Sequence, residues 1–304
     1  MKLDVIGIGA LNVDKLFLVE QIAKEDEESS IIDFSEACGG SAANTIVGLA
    51  RLGLETGYIG KVARDHEGKL LRDDFDKEKV NTRGIVVTES GRSGVVMCFV
   101  DKKGERAMYI DPGVNNSLKL EEIDPAYANS TTFVHFSSFV GQEAFHVQKK
   151  LITSLSSEIK VSLDPGDLYA DKGLNALKPM IKRCHVFFPN EHELKILTGE
   201  EYERGAEILL NEGVRIVAVK LGPKGCYVTD GKEKHLIPRY PVKVVDTTGA
   251  GDAFCAGFLY GLIKGKGLEQ CGRIGNFVAS KCIEKIGART GLPHLAELPK
   301  NLQC

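Results

Sequence analysis

Apolar and polar positions along the chain change period repeatedly, and each change marks an element. Leu3–Ile8 is a short apolar run of strand length. Residues 15–34 read as two strands around a polar tip, Lys24-Glu25-Asp26-Glu27-Glu28-Ser29-Ser30. Ile46, Val47, Leu49, Ala50 and Leu52 recur at helical spacing and stop at Gly53. Gly94–Val100 and residues 106–110 predict a second hairpin, linked by the turn-rich residues 101–105. Strands and helices then alternate: strand 132–136, helix 142–156, strand 160–163, helix 174–182, strand 185–188, strand Ile216–Lys220 and a helix over 271–286 ending at Gly287. Such alternation predicts right-handed βαβ units, a mostly parallel, doubly wound sheet and helices on both of its faces. The two hairpins suit a small sheet outside this three-layer α/β/α core.

The densest chemistry lies at Asp246-Thr247-Thr248-Gly249-Ala250-Gly251-Asp252. Val242, Val244 and Val245 before it have the short β-branched spacing of a strand. Ala253, Phe254, Ala256, Gly257, Phe258, Tyr260, Gly261 and Leu262 after it suit a buried helix of about three turns. The segment is therefore expected where a strand gives way to a helix. First-turn amides have no partner inside a helix, and the peptide dipoles add partial positive charge there. Gly249 and Gly251 let an anion approach the backbone, with Ala250 between them. Asp252 sits among these donors. It fits a general base that takes a proton from a substrate hydroxyl while the amides hold a transferred phosphoryl group. The competing reading is a tight turn with a capping Asp.

Further motifs carry paired readings. Asn12 and Asp14 lie two apart beyond the first strand; in extended chain they share a face and can grip vicinal hydroxyls, or they stabilise a turn. Gly39 and Gly40 open the helix that carries Asn44, giving either a ligand-contacting loop or a packed helix entry. Asn190 and Glu193, three apart, can share a helix face toward a hydrated Mg²⁺ or make an N-terminal cap. Asp164 ends a strand and either faces a site or makes a turn. Lys220 is a site residue or a surface charge, followed by the turn glycines Gly222 and Gly225.

Composition narrows the classes. The chain has 304 residues, 43% hydrophobic and 27% charged, which suits a globular protein of one large α/β domain or two smaller ones. A net charge of −3 gives no electrostatic reason for a nucleic-acid or membrane partner. Its eight cysteines are scattered without a Cys-x-x-Cys, which argues against a disulfide framework or zinc site and for a reducing cytoplasm. Met1-Lys2-Leu3-Asp4 does not read as a secretory signal.

The 246–252 motif resembles the C-terminal signature of the ribokinase-like sugar and nucleoside kinases of the phosphofructokinase B type, and further matches run from Asn12 to Asn276. The resemblance implies a ribokinase-like core (1–14, 38–87 and 112–304) and a β-sheet lid (15–37 with 88–111). It implies an ATP-dependent kinase acting on a hydroxymethyl group of a small sugar. Asp252 is the implied base, the Gly249–Gly251 amides the anion hole, and Asn12, Asp14, Gly39, Gly40 and Asn44 the substrate contacts. Asn190 and Glu193 are tied to Mg²⁺ and phosphate. Lys220, Gly222, Gly225 and Thr248 border the nucleotide, and Asn276, near Val278, walls the adenine. Asp246 and Thr248 lie where relatives hold a monovalent cation such as K⁺, beside residues 286–288. Met97, Phe99, Met108 and Tyr109 are expected to line the acceptor pocket, and two lids to pair in a homodimer. Three alternatives stand beside this reading: a nucleoside kinase of the same family, an NAD-dependent oxidoreductase built on Gly7-x-Gly9 (where Asn12 replaces the third glycine), and a non-catalytic sugar-binding protein.

Overall fold

A computed structural model describes residues 2–303. In chain order, β1 (Leu3–Ile8) passes directly to β2 (Asn12–Val19) and β3 (Ile31–Gly39) before α1 (Ser41–Arg51). Next come β4 (Thr56–Ala63), α2 (His66–Lys77), β5 (Asn81–Thr88), β6 (Gly94–Val100), β7 (Arg106–Asp111) and α3 (Pro125–Ala128). The chain continues through β8 (Thr131–Ser137), α4 (Gln142–Ser154), β9 (Lys160–Asp164), α5 (Gly166–Ala170), α6 (Gly173–Ile181), β10 (Cys184–Phe187), α7 (Glu191–Thr198) and α8 (Tyr202–Asn211). It closes with β11 (Ile216–Lys220), β12 (Cys226–Thr229), β13 (Lys234–Ile237), α9 (Ala250–Ile263) and α10 (Leu268–Cys282).

The large sheet has the order β13-β12-β11-β10-β9-β8-β1-β4-β5. Its strands from β11 to β5 are parallel, and β12 and β13 add antiparallel at one edge. Alternate side chains of one strand enter different cores. Ile216 and Ala218 pack on the face covered by α1, α9 and α10, while Val217 and Val219 pack on the other face with residues of α4, α6, α7 and α8. Burial on both faces explains why these strands read as continuous apolar runs.

The hairpins form the small sheet, ordered β3-β2-β6-β7, with β2 and β6 parallel in its middle. Its first hairpin runs from Asn12 to Gly39, so Asn12 and Asp14 belong to this sheet and not to the core segment 1–14 expected from sequence. Register puts Asn12, Asp14, Leu16, Cys98 and Met108 on one face, and Lys15, Phe17, Met97, Phe99 and Tyr109 on the other. The four hydrophobic residues expected to line one pocket are thus split between the faces. Phe17 stacks on Phe99 at 4.9 Å, and Tyr109 meets the edge of Phe99 at 6.1 Å.

One expected strand is missing. Residues 238–245 have no strand partner, and Val244 and Val245 stay about half exposed. The segment is held instead by Ile283 O, which accepts from Val245 N at 2.8 Å. The glycine-rich motif therefore follows an extended loop. The dinucleotide reading of Gly7-x-Gly9 also loses its context, because β1 is followed by a strand and not by a helix.

Candidate active site

The helix expected after the motif is α9, whose N-cap is Gly249 at φ +76°. A side chain there is excluded on two grounds: left-handed backbone, and an added Cβ only 2.7 Å from Ala288 Cα. Nine consecutive residues, Ala253 to Gly261, are buried, so the helix is anchored by its length in the core while its first turn stays open. Ala250 N donates to Thr247 O at 3.2 Å, which takes one of the three expected anion-hole amides into the turn. Gly251 and Asp252 face a cavity of about 500 Å³.

Helix α1 grips the start of α9. Ser41 Oγ donates to Asp252 Oδ1 at 2.6 Å, Asn44 Nδ2 donates to Oδ2 at 2.8 Å, and Thr45 Oγ1 donates to the Asp252 carbonyl at 3.2 Å. Burial raises the Asp252 carboxyl to about 6, against the Ser41 and Asn44 donors and Lys220 and with the charge of Asp164. Asn44, expected as a sugar contact, has both ends of its amide engaged by protein: its Oδ1 accepts from Arg289 Nε at 2.8 Å.

Asp14 lies against Gly39 so closely that a Cβ at Gly39 would fall 2.3 Å from its Oδ2, hence the glycine. Gly40 is the N-cap of α1. Burial raises Asp14 to about 6; Arg289 opposes this, and Asp252 adds to it. Asn12 Oδ1 accepts from Asn115 Nδ2 at 3.0 Å, and Asn115 in turn bonds both backbone groups of Leu11. Asp14 and Asp252 are thus both raised and Asn12 is oriented by Asn115, while none of Asn12, Asp14, Gly39, Gly40 and Asn44 lines the cavity itself.

The cavity lining includes Asn190, Glu193, Lys220, Gly222, Gly225 and Asn276, all expected from sequence. Asn190 and Glu193 form a reciprocal cap on α7: Glu193 N donates to Asn190 Oδ1 at 2.7 Å, and Asn190 N and Nδ2 donate to the two Glu193 oxygens. Burial and the nearby Asp164 push the Glu193 carboxyl up, opposed by Lys220. Asn276 gives its amide hydrogens to Ile237 O and Pro238 O. Val278, expected near the adenine, is fully buried in the core.

Asp164, left between site and turn by the sequence, and Arg239 and Tyr240, which it did not assign, also line the cavity. Lys220 Nζ bonds Asp164 Oδ2 at 2.5 Å, and a Cβ at Gly251 would lie 3.4 Å from that ammonium. Burial alone would lower Lys220, but the Asp164 charge holds it well above its ordinary value. Tyr240 and Arg239, from the partnerless loop, complete the wall. Asp246 ties the motif to the C-terminal loop: Oδ1 accepts from Thr248 N and Oγ1, and Oδ2 accepts from Gly287 N at 2.9 Å. That brings together the two segments expected around a monovalent cation.

The pfkB family of carbohydrate kinases matches residues 2–295, and the chain belongs to that family. It is a phosphotransferase with an alcohol group as acceptor. An uncharacterised sugar kinase of Archaeoglobus fulgidus is 48% identical over 250 residues, covering 81% of this chain and 98% of that protein. An ATP-dependent ribose-1-phosphate kinase of Halopiger xanaduensis is 32% identical, with 94% of each chain covered. Among solved structures, the nucleoside kinase of Methanocaldococcus jannaschii, an archaeal member of the ribokinase family, superposes with a TM-score of 0.87 at 27% identity, covering 99% of this chain and 98% of that one.

Proposed function

We propose that the chain transfers the γ-phosphoryl group of ATP to a hydroxymethyl group of a small sugar, with Asp252 as general base. The observation that carries this reading is one carboxylate at the mouth of α9, facing the cavity beside the Gly251 backbone and raised to about 6. The acceptor hydroxyl gives its proton to the Asp252 carboxylate. Its oxygen then bonds to the γ-phosphorus as the bond to the bridging oxygen of ADP breaks. The first-turn amides and Lys220 face the charge that develops on the moving phosphoryl group. Asn12 and Asp14 hold the other hydroxyls, and Gly222, Gly225, Thr248 and Asn276 border the nucleotide.

Among the described residues no group of three or more His, Cys, Asp or Glu could hold a metal ion. Asp164, Glu193 and Asn190 nonetheless give the cavity oxygen donors, which suits a Mg²⁺ that keeps its waters and sits mainly on ATP phosphates. Such an ion neutralises phosphate charge. The Asp246–Thr248–Gly287 junction supports a K⁺ site in the same way. The structural likeness to a nucleoside kinase supports a second acceptor class. The small sheet exposes Ile31, Phe34 and Tyr109, which supports pairing of two such lids in a homodimer.

The test is an ADP-release assay with ATP and Mg²⁺ against free sugars, sugar phosphates and nucleosides, with product masses. One acceptor class should be phosphorylated, Asp252→Asn should lose roughly 10²–10⁴-fold in rate, and EDTA should abolish turnover. Failure of every acceptor, or full activity of D252N, would refute the reading.

A further inference from the structure

Arg289 lies in the loop after α10, directly after residues 286–288 but in no motif read from the sequence, and is 9% exposed. Its three nitrogens point three ways. Nε donates to Asn44 Oδ1 at 2.8 Å, Nη2 donates to Gly39 O at 3.1 Å, and Nη1 pairs with Asp74 of α2. The guanidinium also sits 5.8 Å from the centre of the Phe75 ring, and Arg51 Nη1 holds the Arg289 carbonyl at 2.7 Å. Arg289 is therefore fixed at its backbone and at its head.

The donor and acceptor inventory then settles the Asn44 amide. A guanidinium can only donate, and an ionised carboxylate can only accept. With Arg289 on one side and Asp252 on the other, the Asn44 oxygen must face Arg289 and its NH₂ must face Asp252. Remove the guanidinium fork and the Asn44 oxygen loses its donor, so its Nδ2 hydrogen bond to Asp252 is held from one side only. Ser41 and Thr45 on α1, Asp164 on β9, Lys220 on β11 and Asp14 on β2 also act on Asp252, and none of them orients this amide.

We propose that Arg289 is a positioning residue for catalysis: through Asn44 it keeps a donor on the base, and through Gly39 it holds the loop beneath Asp14. The proposal rests on Asp252 being the base. Lysine at 289 keeps the charge and can keep the Asp74 pair, but one ammonium cannot reach Asn44, Gly39 and Asp74 together.

Arg289→Lys, Asn44→Ala and the double variant are compared with the parent by ¹³C NMR titration of the Asp252 carboxyl, assigned with D252N, and by the pH profile of kcat/KM. R289K should move the Asp252 midpoint, and the acid limb of the profile, up by about one pH unit. N44A should shift it alike, and R289K should add nothing in the N44A background. An R289K midpoint equal to the parent's, or an undiminished R289K shift in the N44A background, would overturn the proposal. If R289K does not fold, the charge-neutral pair Asp74→Asn/Arg289→Met is read by the same titration. The NMR measurement needs no turnover, so a protein that phosphorylates no acceptor refutes the kinase reading while the Arg289 test still stands.

Discussion

Replacing Lys220 by Met separates two roles of one ammonium. Lys220 and Asp164 form a buried ion pair at 2.5 Å, with side chains 14% and 7% exposed. Methionine fills similar space but leaves Asp164 charged, desolvated, and near Asp252 and Glu193. Breaking a buried pair from one side costs roughly 3–5 kcal/mol. At about 2–4 °C per kcal/mol for a domain of this size, the melting temperature should fall by roughly 6–20 °C. Removing both charges in Asp164→Asn/Lys220→Met should recover most of that loss, because no uncompensated ion remains. Activity should not follow. Lys220 borders Gly251; on the proposed mechanism charge develops there, and loss of one such donor costs roughly 10²–10³-fold in kcat. Thermal unfolding by circular dichroism and steady-state ADP release measure the two effects on the same samples. The reasoning fails if K220M melts within about 1 °C of the parent, or if the double variant melts as low as the single.

Two further outcomes follow from the same geometry. With Asp252 and Asp14 both at about 6, and the base active only when ionised, kcat/KM should be level above neutrality and drop as pH falls through about 6; a profile flat down to pH 5 would exclude a carboxyl base of this kind. Gly249→Ala should destabilise the protein by more than about 1 kcal/mol, since a Cβ there meets left-handed backbone and the Ala288 Cα together; urea unfolding measures it.

Local signals made much of this molecule legible. The glycines of residues 249–251 lie at a helix mouth because the apolar spacing changes there. The two hairpins were readable from alternating runs around polar tips, and Asn190 with Glu193 has the spacing of a cap, which is what the two side chains make. Val242, Val244 and Val245 misled because β-branched spacing reports apolarity, not the presence of a neighbouring strand. What escaped were pairs joined only by folding. Arg289 and Asn44 are 245 positions apart, and Lys220 and Asp164 are 56 apart. Neither pair leaves a local pattern, and only close packing of α1, α9 and the C-terminal loop shows that Asn44 reaches Asp252. Ser41 had a local clue in its place just after Gly39 and Gly40, but its direction toward Asp252 depends on the same packing.

The small sheet leaves the core at Asn12 and returns at Gly39, then leaves and returns again around β6 and β7. Its tips, residues 20–30 and 101–105, lie at the far ends of these excursions from the anchoring residues. A gene encoding this arrangement can lengthen, shorten or rewrite two surface turns without disturbing the machinery that handles ATP.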